Sequence, residues 1–208
     1  MRERINPTVR LQAESRSHVR VLQQTISRCS PVIVKLVECI TDCFLRGNKL
    51  LVCGNGGSAA DAQHVAAEFV NRFRFDRGAL PAIALTTDTS ILTSVGNDHA
   101  FEFIFSRQVE ALGRKGDVLV GISTSGRSAS VLKALKIARE RGLTTIGFTG
   151  AKGRKTMEPV CDRCLSIPSA DTARIQECHE FIWHVICGMV EQDIFAKGRR
   201  FHTRSSEG

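Results

Sequence analysis

From Leu50 onward, short uninterrupted apolar runs alternate with longer segments whose apolar positions recur at helical spacing. The runs Leu50–Cys53, Ala82–Thr86, Val118–Ile122, Thr144–Phe148 and Cys164–Ile167 predict five strands. The patterns between and after them predict helices over Ser58–Arg72, Ser90–Val95, Phe101–Leu112, Ala129–Arg141 and Ala173–Phe195. Strands that lack polar alternation are buried on both faces, as in parallel sheets covered by helices. The chain therefore reads as an α/β fold, a three-layer sandwich on a mostly parallel five-stranded sheet.

Two helical stretches precede this unit. The first, from about Thr8 to Arg28, carries Val9, Leu11, Val19, Val21, Leu22 and Ile26. A break is expected at Ser30-Pro31, with Ser30 as N-cap and Pro31 in the first turn of a second helix that stops at Gly47. The predicted division is a helical extension over 1–48, one domain over 49–196 and a basic, fraying tail over 197–208.

Composition narrows the function classes. The 208 residues, 42% hydrophobic and 24% charged, suit one globular domain whose core needs no disulfide or metal staple. No apolar run approaches a membrane span, and the N-terminus lacks the apolar stretch of a secretory signal, so a cytoplasmic location is expected. The net charge of +8 is concentrated at the ends, which favours solubility and a loose tail over a nucleic-acid surface. With no tyrosine for base stacking, no nucleic-acid partner is expected. The eight cysteines form no zinc framework; Cys161 and Cys164 make a lone CxxC, read as incidental.

Two loops carry the candidate chemistry. Gly54-Asn55-Gly56-Gly57-Ser58 follows the first strand and opens a helix, a setting in which the backbone approaches an anionic ligand closely. Gly54, Gly56 and Ala59 also fit a variant dinucleotide fingerprint, but Asp76, the acidic residue at the required spacing, lies in a charged connection and does not close a strand. After the third strand, Ser123, Thr124, Ser125 and Ser128 place four hydroxyls at a helix N-terminus, a phosphate-binding arrangement. Arg127 within it either adds charge or faces solvent. Asp61, His64 and Glu68 share one helix; Gln176, His179, Glu180 and His184 interrupt the last apolar one. Such acid and imidazole sets serve proton transfer, hold a metal, or simply form a solvated face.

The stretches GNGGSAADAQHVAAEFVNRF, LTTDTSILTSVGND, GDVLVGISTSGRSASV and ARIQECHEFIWHVI, in this order, resemble the sedoheptulose 7-phosphate (phosphoheptose) isomerases. These belong to the sugar-isomerase (SIS) class, a flavodoxin-like α/β sandwich. The resemblance runs from about residue 9 to 195 and implies a cytoplasmic homotetramer. Its substrate would be a phosphorylated seven-carbon sugar, converted to D-glycero-D-manno-heptose 7-phosphate for lipopolysaccharide precursors. It implies Asn55, Gly56, Gly57, Glu68, Asn97, Asp98 and Gln176 as substrate contacts, with Ser123, Thr124, Ser125 and Ser128 on the phosphate. It further implies zinc on His64, Glu68, Gln176 and His184, with Glu68 and His184 as the catalytic acid/base pair. These roles compete, because zinc lowers a carboxylate's basicity and a ligated nitrogen carries no proton. Either the metal is labile, or different atoms of these side chains serve the two tasks. Two alternatives stand beside this reading: isomerisation of another phosphosugar, and a non-enzymatic replication-initiator-associating protein of the same fold.

Overall fold

The computed structural model describes residues 6–196; the tail expected over 197–208 lies outside them. The fold opens on one helix, α1 (Pro7–Leu45), capped by Asn6, whose side chain accepts the Thr8 N–H at 2.9 Å. The expected break at Ser30-Pro31 does not occur. Pro31 removes one helical donor, but it sits on the exposed side beside Ser27 and Arg28, where water satisfies the freed carbonyl. The buried stripe Cys29, Ile33, Leu36, Val37 and Ile40 runs straight past it. Ser30 does not cap; its hydroxyl donates to the Ile26 carbonyl within the same helix.

After Gly47, which turns the chain at φ +74°, strands and helices alternate. They are β1 (Leu50–Gly54), α2 (Gly57–Val70), β2 (Ala82–Ala84), α3 (Thr89–Asp98), α4 (Ser106–Leu112) and β3 (Val118–Ile122). Then follow α5 (Ala129–Glu140), β4 (Thr144–Gly150), a one-turn α6 (Arg154–Met157), β5 (Arg163–Ile167) and α7 (Thr172–Glu191). The helix expected over Phe101–Leu112 is split into a 3-10 turn at Phe101–Phe103 and α4. The last α-helix ends at Glu191 and widens into a π turn over Gln192–Ala196.

All five strands are parallel, in the order β2-β1-β3-β4-β5. Successive side chains of β1 point to opposite faces: Leu50 and Val52 enter one core, Leu51 and Cys53 the other. The first core joins the sheet to α1, α2 and α7; the second joins it to α4, α5 and α6. This is the expected three-layer α/β sandwich. At the amino ends of β1 and β3, Asp117 accepts from Lys49 Nζ at 2.6 Å and from the Lys49 and Arg114 backbone N–H groups, fixing the two strands together.

A buried imidazole packs against the first core. His179 stands edge-on to Phe148 with centroids 5.4 Å apart, and burial holds its imidazole down at about 4, against an ordinary 6.5. Between those two values the unfolded chain takes a proton that the folded chain refuses, so stability is lost as pH falls through the window. The loss amounts to about 3 kcal/mol at its acid end. His179→Gln is expected to flatten this acid slope in urea unfolding between pH 7 and 4; an unchanged slope assigns the acid sensitivity elsewhere.

Candidate active site

In this strand order the chain leaves β1 and β3 in opposite directions, which opens a crevice between their carboxyl ends. Gly54 pairs with Ile122 there, so the loops after β1 and β3 emerge side by side. Gly56 turns the first loop at φ +56°, a conformation a side chain would strain. Asn55 then reaches across, its Nδ2 donating to Ser128 Oγ at 2.6 Å and Ser130 Oγ at 3.1 Å. Ser128 occupies the N-cap position of α5, yet its hydroxyl makes no cap bond and is turned to Asn55 instead. The first-turn N–H groups of α5 therefore keep no side-chain cap, as an anion site requires. A cavity of about 280 Å³ opens here, and Asn55, Ser123, Thr124, Ser125, Ser128 and Gln176 all line it.

A second cluster lies further along α2 and α7, which pack against each other. His64 and Glu68 share one face of α2 at i, i+4, and Glu180 and His184 do the same on α7. His64 Nε2 lies 2.9 Å from His184 Nε2, 3.4 Å from Glu68 Oε1 and 3.1 Å from Glu180 Oε1. His184 Nε2 is 3.5 Å from the same Glu180 oxygen. Phe73 stacks on the His184 ring, with centroids 5.5 Å apart and planes at 14°. Nearby, burial and the Glu180 charge push the Asp61 carboxyl up to about 6, partly offset by His64. The donor atoms of His64, Glu68 and His184 all lie within 4.8 Å of one another, and two imidazoles with a carboxylate form a set that zinc accepts.

The SIS-domain family profile matches residues 15–150. A phosphoheptose isomerase from Roseiflexus is 57% identical over 182 residues, covering 88% of this chain and 92% of the relative. One from Citrifermentans bemidjiense is 52% identical over 92% of this chain and 99% of its own. The structure of phosphoheptose isomerase from Neisseria gonorrhoeae superposes with a TM-score of 0.84 at 44% identity, covering 90% of this chain and all of that one. The chain belongs to the phosphoheptose isomerase family.

Against that family's expected residues, the structure divides them into three places. Asn55, the four loop hydroxyls and Gln176 share the cavity. Gly57 borders it, because a Cβ there would strike the Gln176 carboxamide. His64, Glu68 and His184 form the second cluster; Gln176 stands eight residues before His184 on the same helix, with its carboxamide against Gly57. Asn97 and Asp98 lie exposed at the end of α3, Asn97 Nδ2 donating to Asp98 Oδ1 at 2.8 Å, and line neither this cavity nor the smaller one beside Gly56. Asp76, which a dinucleotide fingerprint needed at a strand end, is exposed in the connection before β2. Sequence reasoning did not single out Ser130, and it noted Glu180 only within the polar set on the last helix, although its i, i+4 spacing to His184 was an available signal.

The acid–imidazole cluster is held from behind by a buried ion pair. Arg77 and Glu191 have side chains only 2% and 1% exposed and meet at 3.0 Å. The Glu191 carboxylate also accepts the Phe73 and Arg74 N–H groups at 3.0 and 2.9 Å, while Arg77 donates to the Glu68 and Phe69 carbonyls. One pair thus fixes the end of α2 and the loop that carries Phe73 onto His184. Glu191→Ala strands a buried guanidinium and is expected to cost about 3–5 kcal/mol. Urea denaturation reads this directly, and a loss below about 1 kcal/mol contradicts the bracing role.

Proposed function

We propose that the chain interconverts D-sedoheptulose 7-phosphate and D-glycero-D-manno-heptose 7-phosphate, in the cytoplasm, through an enediol. The observation that carries this reading is one crevice with a hydroxyl-lined anion site at one end and an acid–imidazole cluster two helical turns along α2 and α7. A phosphate ester on the serine loop directs the far end of an extended seven-carbon chain toward that cluster. Ser123, Thr124, Ser125 and Ser128 donate to phosphate oxygens, and the α5 N-terminus adds its dipole. Asn55 keeps the two loops in register, and Asn97 and Asp98 contact substrate from α3.

Isomerisation moves one proton between adjacent carbons and one between their oxygens. Glu68 takes the proton from C1 of the ketose, leaving the electron pair in the C1–C2 double bond as the carbonyl π bond passes to its oxygen. His184 supplies a proton to that oxygen and accepts one from the C1 hydroxyl. Glu68 then returns its proton to C2, completing the aldose with no net gain or loss. Each acid or base of this kind contributes on the order of 10²–10⁴ in rate. Phe73 and Glu180 orient the His184 ring for these exchanges. His64, Glu68, Gln176 and His184 are the residues that would hold a zinc ion, and a metal there would polarise the sugar carbonyl. Eight free cysteines suit a reducing compartment.

Glu68→Gln keeps the shape and removes the base. It is expected to bind the ketose phosphate normally and to lose about 10²-fold or more in turnover, followed by NMR of the sugar anomeric signals. Near-normal turnover removes Glu68 from the base role.

The same reading includes a homotetramer. Leu11, Val19, Ile26 and Val34 recur at intervals of eight, seven and eight along α1 and stay 70%, 46%, 38% and 46% exposed, an apolar seam with no cover within the described chain. Ile26→Glu with Val34→Glu is expected to shift the mass measured by light scattering from four chains to fewer, with the helical content kept. A tetramer that survives both charges places its contacts elsewhere.

A further inference from the structure

Two cations stand beside the serine loop without entering its cavity. Arg127, inside the loop, and Lys152, on the connection after β4, both line a second cavity of about 170 Å³. This cavity shares Thr124, Ser125 and Thr172 with the larger one, so the two adjoin across hydroxyl-bearing residues. Ser169 adds a further hydroxyl, and no carboxylate lines the space. Among the described residues, neither Arg127 nor Lys152 has an ion pair or a side-chain hydrogen bond. Some other cations of the sandwich are matched, Lys49 with Asp117 at 2.6 Å, Lys133 with Glu102 at 2.7 Å and Arg174 with Glu177 at 2.6 Å. Like charges facing one acid-free cavity repel each other unless an anion lies between them.

We propose that this cavity is a subsite for a second phosphoryl group, so that the chain binds ligands of the diphosphate class. One phosphoryl group occupies the serine loop, and the next meets the Arg127 fork and the Lys152 ammonium. The inference rests on the reading of the serine loop as the phosphate holder. The physical reason for the second site is charge. Hydroxyls and backbone N–H groups hold one phosphate without a formal cation, but an adjacent phosphoryl group raises the ligand's charge to three or four negatives. Charge-assisted, bidentate donors are then the matching chemistry. Such a ligand excludes the sugar phosphate from the loop and is a competitive inhibitor.

The test is calorimetric titration of the whole protein at constant ionic strength with inorganic phosphate, inorganic pyrophosphate and ADP. The wild type is compared with the Arg127→Gln/Lys152→Gln double variant; both side chains are exposed, so the core is untouched. Pyrophosphate is expected to bind about tenfold or more tightly than phosphate in the wild type, and the double variant to lose that advantage while its phosphate affinity changes less than about twofold. ADP matching pyrophosphate identifies diphosphate esters as ligands; ADP binding no better than phosphate restricts the subsite to free diphosphate. Pyrophosphate no tighter than phosphate overturns the second subsite and leaves the serine loop standing. An equal loss of phosphate and pyrophosphate in the variant also overturns it, by assigning both cations to the first phosphate. Failure of all three ligands to bind the wild type removes the serine-loop reading itself.

Discussion

The packing of α2 against α7 over one face of the sheet is the contact on which the reacting end of this molecule depends. Each helix presents an acid and an imidazole one turn apart, His64 with Glu68 and Glu180 with His184, and only their juxtaposition makes four separate side chains into one cluster. That juxtaposition has an electrostatic cost. Glu68, Glu180 and Asp61 crowd two imidazoles, and the Asp61 carboxyl is pushed up to about 6, with the Glu180 charge as a contributing cause. A site this rich in negative charge gains from any cation it can hold, whether a proton shared between the two ring nitrogens 2.9 Å apart or a metal on the His64, Glu68 and His184 donors. The same arrangement therefore suits proton exchange and metal binding, and the competition between those roles is built into the helix contact.

The phosphate end is built differently, from backbone and neutral donors. Gly56 supplies a positive φ, Gly57 supplies the space into which the Gln176 carboxamide fits, and Asn55 ties the β1 loop to the first turn of α5. These features lie at the switch point of the sheet, while the acid–imidazole cluster lies along the helices above it. On the proposed reading, the separation of about two helical turns suits a ligand long enough to span both.

Much of this was legible in the residues. The apolar runs located all five strands within two residues at each end, because a strand buried on both faces leaves little polar residue inside it. The serine loop was legible because hydroxyls clustered where a strand hands over to a helix. The helix break at Pro31 was misread for an equally physical reason. Local chemistry favours a new N-terminus at Ser-Pro, but a continuous buried stripe from Cys29 to Ile40 outweighs one absent hydrogen bond facing water. Glu191 gave no signal at all: near the end of a helix it reads as a solvated acid, and only the fold reveals it as buried against Arg77.

That buried pair shows how stability and chemistry are coupled here. Removing two charges from water is unfavourable unless every lone pair and proton finds a partner. Glu191 meets that condition with two backbone N–H groups and a guanidinium, and Arg77 meets it with the carboxylate and the carbonyls that end α2. Hydrophobic residues of the same volume could fill this space at less cost, but they could not fix the backbone donors of Phe73 and Arg74 in direction. The loop between α2 and β2 has no regular structure to hold it, so its position comes from these bonds, and through Phe73 the position of the His184 ring follows. The costly interaction sits behind the site because a precise imidazole needs a directional brace, and apolar packing supplies none.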